Sequence, residues 1–245
     1  MTETADTATQ VDAKGFSAVP GWVIREASRF ALCDDEESTR WPLFGVYVHT
    51  VKGCGRVTAS NGGQAAIFNV PGAVIAQTFL VEMRDGKKLL KILKKEISDT
   101  WESEEAIRWL VIDHETGTVH VVVAEIAEDA IVGAQRQTTD SGHKAALTGY
   151  LMNAVKYPDL SQFITGKTFS NAFPGECFDA RLLRRFARLS SPWNRCELTL
   201  YATEPERHGP YIVRLTGRPD FLGLLMPLTS EKNPLPDWWN AEEES

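Results

Sequence analysis

The sequence predicts an α+β fold in which helices lie on antiparallel sheets, and three observations predict it. A helical stretch followed by several short strands occurs and then recurs, without the strand–helix alternation of βαβ units. Turn signals separate short apolar runs, most plainly at Asn61-Gly62-Gly63. Two stretches, Lys87–Lys95 (KKLLKILKK) and Ala180–Leu189 (ARLLRRFARL), carry the 3.6-residue period of amphipathic helices. Each needs an apolar sheet beneath its leucine face.

Taken in order, the small polar residues of the N-terminus predict a disordered arm over residues 1–19. Pro20–Leu32 predicts the first helix, with proline near its start and Trp22, Ile24, Ala27, Phe30 and Ala31 as its apolar stripe. Trp41–Val51, Arg56–Ser60, Gln64–Val70 and Ala73–Met83 read as strands, leading into the lysine helix. Ala106–Ile112 and Thr118–Ile126 form a hairpin around Asp113–Gly117. The pattern then weakens, with a candidate helix in His143–Val155. The arginine helix falls within Cys177–Leu189, and Glu197–Ala202, Tyr211–Thr216 and Phe221–Leu228 close the fold as three strands. From Thr229 a tail with Trp238-Trp239 and an acidic end reads as an appended segment, open to self-docking or to a partner.

Composition bounds the function. The 245 residues suit one large domain or two of ordinary size. No apolar run is long enough to span a membrane, and the N-terminus does not have the pattern of a secretory signal, so a cytoplasmic location is expected. Cys33, Cys54, Cys177 and Cys196 are scattered without a CxxC pair, which favours reduced thiols over disulfides or zinc ligands. The P-loop, HExxH and GxSxG patterns are missing, and Asp113-His114-Glu115 sits at a hairpin tip where charge is ordinarily solvated. No catalytic residue, metal or cofactor is expected, and the chain is not read as an enzyme.

Charge is the informative feature. With 26 basic and 33 acidic side chains the net charge is −7. The lysine and arginine stretches hold nine cations and no carboxylate, which leaves −16 for the rest of the chain. On a helical wheel the five lysines share an arc of roughly 120° and the four arginines one of about 100°. Like charges three and four apart repel by a few tenths of a kcal/mol per pair, so a solvated face normally mixes signs. Two purely cationic faces on an acidic protein point to a polyanion.

Several segments resemble the DNA sliding clamps, most closely the bacterial DNA polymerase III beta-subunit family. Phe79–Lys95 (FLVEMRDGKKLLKILKK) is similar to the strand-to-helix passage before the second helix of a clamp domain. Lys156–Ile164 (KYPDLSQFI) resembles the segment that closes one domain before the next. Phe178–Leu228 resembles the final half-domain, with FLGLLMPL as its terminal strand, and Val57–Gln64 (VTASNGGQ) is a looser match to a family hairpin. One departure is that three helices stand out where a two-domain clamp has four, since His143–Val155 lacks a basic stripe.

The resemblance implies a DNA-clamp fold, with antiparallel sheets outside and helices on the inner face. It implies clamp-like domains at 20–130 and 131–230 and a tail at 231–245. It makes the chain a processivity factor that encircles duplex DNA and tethers a polymerase, with a separate clamp loader. Phosphate contacts would come from Arg25, Arg29, Lys87, Lys88, Lys91, Lys94, Lys95, Arg181, Arg184, Arg185 and Arg188. Leu224, Leu225, Met226, Pro227 and Leu228 would line a groove for short partner peptides. Two domains per chain would favour a trimeric ring over a dimeric one. The alternatives are a clamp-related adaptor or decoy that does not close a ring, and a nuclease that holds its substrate with the basic helices.

Overall fold

The computed structural model describes residues 15–31, 41–83, 107–139, 147–148, 151–153, 157–160, 178–189, 197–203 and 209–228. The lysine stretch, the C-terminal tail, Cys33, Cys177 and Cys196 lie outside them. The chain forms two compact units that divide between Pro158 and Asp159. The boundary expected between residues 130 and 131 would fall inside a helix.

Unit 1 is built from two similar halves. The first runs β1 (Phe16–Pro20), α1 (Gly21–Ser28), β2 (Gly45–Val51), β3 (Cys54–Ser60) and β4 (Gln64–Val70). The second runs β5 (Phe79–Glu82), β6 (Ile107–Asp113), β7 (Thr118–Ala124), α2 (Ala127–Thr139) and β8 (Leu147–Thr148), and β9 (Leu151–Asn153) follows. Strands β2, β3 and β4 are an antiparallel meander, as are β6, β7 and β8. The halves exchange their first strands: β1 pairs with β6 (Phe16↔Asp113 to Pro20↔Trp109), and β5 pairs with β2 (Val48↔Phe79 to Gly45↔Glu82). Neither meander's first strand is therefore an open edge.

Local sequence explains these elements. Lys52 and Gly53 join β2 to β3 with φ of 52° and 77°. Positive φ at both positions of a two-residue loop matches the twist of the flanking strands. Asn61 accepts hydrogen bonds at Oδ1 from the Gly63 and Gln64 amides (3.1 and 3.0 Å), so the expected NGG turn joins β3 to β4. The β6–β7 hairpin turns at Asp113, which is buried and accepts from the Glu115 amide, the Thr116 amide and the Thr116 hydroxyl (2.9, 3.3 and 2.7 Å). The tip was expected to be solvated; instead its first carboxylate caps the turn.

Three expectations change. Residues 16–20 are a buried strand rather than part of a disordered arm, because Ser17, Ala18 and Val19 complete the β6–β7 sheet. Ala127–Thr139 is a helix that the sequence reading left unassigned. Its Ala127, Ala130, Ile131 and Ala134 pack on Ala18, Trp109, Val111 and Val122. Val19, Leu110 and Ile112 on the same strands are also fully buried and, by strand alternation, point to the other face. This sheet is thus buried on both faces. The candidate helix in His143–Val155 contains the strands β8 and β9 instead, held by pairing with β7 and β5. Edge pairing overrides local propensity there.

Unit 1 ends where Tyr157 lies on its own sheet. The Tyr157 ring stacks on Tyr47 at 4.7 Å and 4° and packs with Leu43 and Leu80. Burial pushes its hydroxyl pKa up.

Unit 2 contains α3 (Ala180–Ala187) followed by the antiparallel meander β10 (Leu198–Ala202), β11 (Tyr211–Leu215) and β12 (Phe221–Leu225). Phe186 is its central core residue, fully buried and edge-on to Phe221 with ring centroids 6.2 Å apart. It lies over Gly223, where a Cβ would stand 2.4 Å from the Phe186 ring.

Candidate nucleic-acid interface

Helix α3 presents the clearest cationic face among the described residues. Asp179 caps its N-terminus by accepting the Arg181 amide at 2.8 Å. At the other end Arg218 donates to the Leu189 carbonyl at 3.0 Å and is itself held by Asp220 at 2.8 Å. The helix is fixed at both ends and anchored through Phe186, so its remaining faces are set. Ala180, Arg181, Arg184, Ala187 and Arg188 are exposed, while Arg185 is half-buried. Arg181, Arg184 and Arg188 share one outward stripe at helical spacing.

These cations are not equivalent. Arg181 makes a forked contact with Asp179, Nε to both carboxylate oxygens at 3.1 Å and Nη2 to Oδ2 at 2.8 Å. Hydrogen bonds from Arg181 hold the Asp179 carboxyl below its usual pKa, so this pair is close to neutral near pH 7. Arg184 and Arg188 are both exposed along the same stripe. Arg214 and Arg218 have internal work instead, since Arg214 donates to the Phe221 carbonyl at 3.0 Å.

In unit 1, Arg25 and Arg29 flank Glu26, which is buried. Arg25 Nη2 is 3.2 Å from Glu26 Oε1, and Arg29 Nη1 bonds Glu26 Oε2. Their side chains are 18% and 33% exposed, so one carboxylate offsets half of a half-buried pair. The signal that separates this helix from α3 is Glu26 itself, which stands in the sequence between two arginines expected to contact phosphate. Lys87, Lys88, Lys91, Lys94 and Lys95 lie outside the described residues.

The five expected groove residues divide. Leu224 and Leu225 are core, and Pro227 is buried. Met226 and Leu228 are 37% and 44% exposed. Only these two offer apolar surface to a partner. Among the described residues no group of His, Cys, Asp and Glu side chains is placed to hold a metal ion, and no helix is long and apolar enough to cross a membrane.

No protein-family model and no curated protein sequence matches the chain. Solved structures do match. A DNA polymerase III beta sliding clamp from Bartonella birtlesii aligns with a TM-score of 0.57 at 15% identity, covering 88% of this chain and 66% of that one. The beta sliding clamp of Caulobacter crescentus aligns at 0.53 and 17% identity, covering 94% and 68%. The DNA polymerase III beta subunit of Thermotoga maritima aligns at 0.53 and 11% identity, covering 94% and 70%. The chain thus spans about two thirds of the length of these clamps. The exchange of first strands between the two halves of unit 1 is the most distinctive feature of the fold that aligns with these clamps. This chain has the fold of the DNA polymerase III beta sliding clamps.

Proposed function

We propose that this protein is a DNA sliding clamp, a homo-oligomeric ring that encircles duplex DNA and tethers a polymerase and other replication proteins. The observation that carries the reading is the outward stripe of Arg184 and Arg188 on a helix of clamp-fold geometry, in a protein with a net charge of −7. Guanidinium groups on a rigid helix meet phosphates without reading bases, while the acidic remainder disfavours binding elsewhere. The lysine stretch adds five cations of the same kind. Met226 and Leu228 receive short apolar peptides of the polymerase and the clamp loader. The protein has no catalytic step of its own and acts in the cytoplasm. Two units per chain favour a trimeric ring over a dimeric one.

The test is DNA binding by the Arg184→Glu/Arg188→Glu double variant over a salt series. The wild-type protein should bind duplex DNA without sequence preference, and its affinity should fall steeply with salt through counterion release. The variant should bind at least tenfold more weakly with an unchanged circular dichroism spectrum. Salt-independent binding, or a variant that binds like wild type, overturns the reading.

The second reading, an adaptor that binds clamp-interacting peptides without closing a ring, draws on the pairing of Arg25 and Arg29 with Glu26 and on the exposure of Met226 and Leu228. It requires peptide binding that Met226→Ala/Leu228→Ala abolishes, in a protein that does not retain DNA.

A further inference from the structure

Beside the arginines of α3 stands one carboxylate, and its side chain does two things. Asp179, immediately before the helix, caps the first turn by accepting the Arg181 amide at Oδ1, 2.8 Å away. Its two oxygens also take the Arg181 guanidinium, Nε at 3.1 Å to each and Nη2 at 2.8 Å to Oδ2. Capping alone does not require the charge, because neutral Asn and Ser serve as N-caps about as well.

Burial decides which of the arginine–carboxylate pairs can open. The Arg181 side chain is 90% exposed and that of Asp179 is 21% exposed. An ion pair in solvent adds little stability, so exchanging one partner for another costs little. When the guanidinium leaves, Asp179 still holds the Arg181 amide and is not stranded. The other pairs differ. Glu26 is buried between Arg25 and Arg29, and parting them would leave a buried charge uncompensated. Arg218 is half-buried and is held by the Leu189 carbonyl as well as by Asp220.

The forked contact also says what can compete for Arg181. A guanidinium fork fits a phosphate as it fits a carboxylate. Bonds from Arg181 keep the Asp179 carboxyl below its usual pKa, so near pH 7 a proton does not release Arg181, whereas a competing anion can. Arg181 lies on the same stripe as Arg184, three residues away and about 4.5 Å along the helix axis. A phosphate backbone that meets Arg184 therefore passes Arg181.

We propose that Asp179 is a positioning residue for DNA binding: it holds Arg181 in the stripe, and a backbone phosphate has to displace it before Arg181 adds to the contact. The inference rests on the clamp reading and supplies a control on the strength of that contact. A competition built into α3 keeps its grip on DNA weaker than its arginine count implies, which suits a protein that slides along a duplex.

The experiment is fluorescence anisotropy of a short labelled duplex with the full chain, over a salt series. It compares wild type, Asp179→Asn, Asp179→Ser, Arg181→Ala, Asp179→Asn/Arg181→Ala and Glu128→Gln. Asn and Ser both keep a cap, so the circular dichroism spectrum should not change. Both substitutions should steepen the slope of log affinity against log salt by about 0.9 at most, which is about eightfold tighter binding at roughly 0.1 M salt. With Arg181 already replaced by Ala, Asp179→Asn should leave affinity and slope nearly as they were, because Asp179 acts through that side chain. Glu128→Gln removes the same charge from an exposed position on α2 and should bind like wild type. The proposal is overturned if both Asp179 variants match wild type, if the gain persists without Arg181, or if Glu128→Gln produces it equally. Salt-dependent binding that Asp179 does not affect sinks this inference and leaves the clamp reading standing. If neither wild type nor any variant binds duplex DNA, both fall.

Discussion

A Cβ at Gly223 would approach the Phe186 ring to 2.4 Å and the Val213 Cβ to 3.0 Å, and neither neighbour is the free end of a flexible chain. Gly223→Ala should therefore push α3 off its sheet and cost about 1–3 kcal/mol, the usual range for overpacking. Chemical denaturation measures it, and Phe186→Leu in the same background should recover part of the loss. Another residue-scale consequence concerns pH. Ser17 Oγ is 2.8 Å from His114 Nε2 and accepts the Ala76 amide at 3.0 Å, which ties β1, the β6–β7 turn and residue 76 together. Burial lowers the His114 pKa, with the neighbouring Asp113 carboxylate opposing the shift. A folded pKa below the unfolded value means that protonation favours the unfolded chain. Stability from this group is then complete above about pH 6.5 and declines as the pH falls below that value. Denaturation midpoints between pH 7.5 and 5 should show this decline, and His114→Gln should flatten it; an equal decline in the variant would contradict the assignment.

At the scale of elements, the two basic helices within the described residues differ in how much charge they present. Asp179 neutralises Arg181, whereas Arg184 faces outward without such a partner within its own turn. Arg184→Ala should lower the slope of log affinity against log salt by about 1, as the loss of one phosphate contact does. Arg181→Ala should lower it by less, and equal losses would contradict this ranking. The helical periods of Pro20–Leu32 and Cys177–Leu189 were legible because leucine, isoleucine and phenylalanine stood out at the right spacing. Helix α2 follows the same i, i+3, i+4, i+7 rule through Ala127, Ala130, Ile131 and Ala134, but small residues mark the period faintly. Strands β8 and β9 are two and three residues long and take their form from β7 and β5. Nothing local specifies them. The groove segment was legible as apolar, but only burial separates the core residues Leu224 and Leu225 from the exposed Met226 and Leu228.

For the whole molecule, the charge imbalance, the ordered resemblances and the helix-then-strands rhythm were enough to reach the clamp fold. The exchange of β1 and β5 between halves was not, because it pairs residues far apart in the chain, Phe16 with Asp113 and Val48 with Phe79 among them, and leaves no periodic trace. It also hid β1 in what read as a polar arm, where only Phe16 and Val19 hinted at a strand. The unit boundary at Pro158 follows from the same long-range packing, since Tyr157 finds its place on Tyr47 and Leu80 rather than beside its neighbours in sequence. In the proposed function this fold turns cationic helix faces toward duplex DNA within a closed assembly. Electron-microscope images of the purified full chain test it most directly. Closed particles should be seen, with a central hole that fills when duplex DNA is threaded through it. Solid or open particles, at concentrations where assembly is complete, would contradict it.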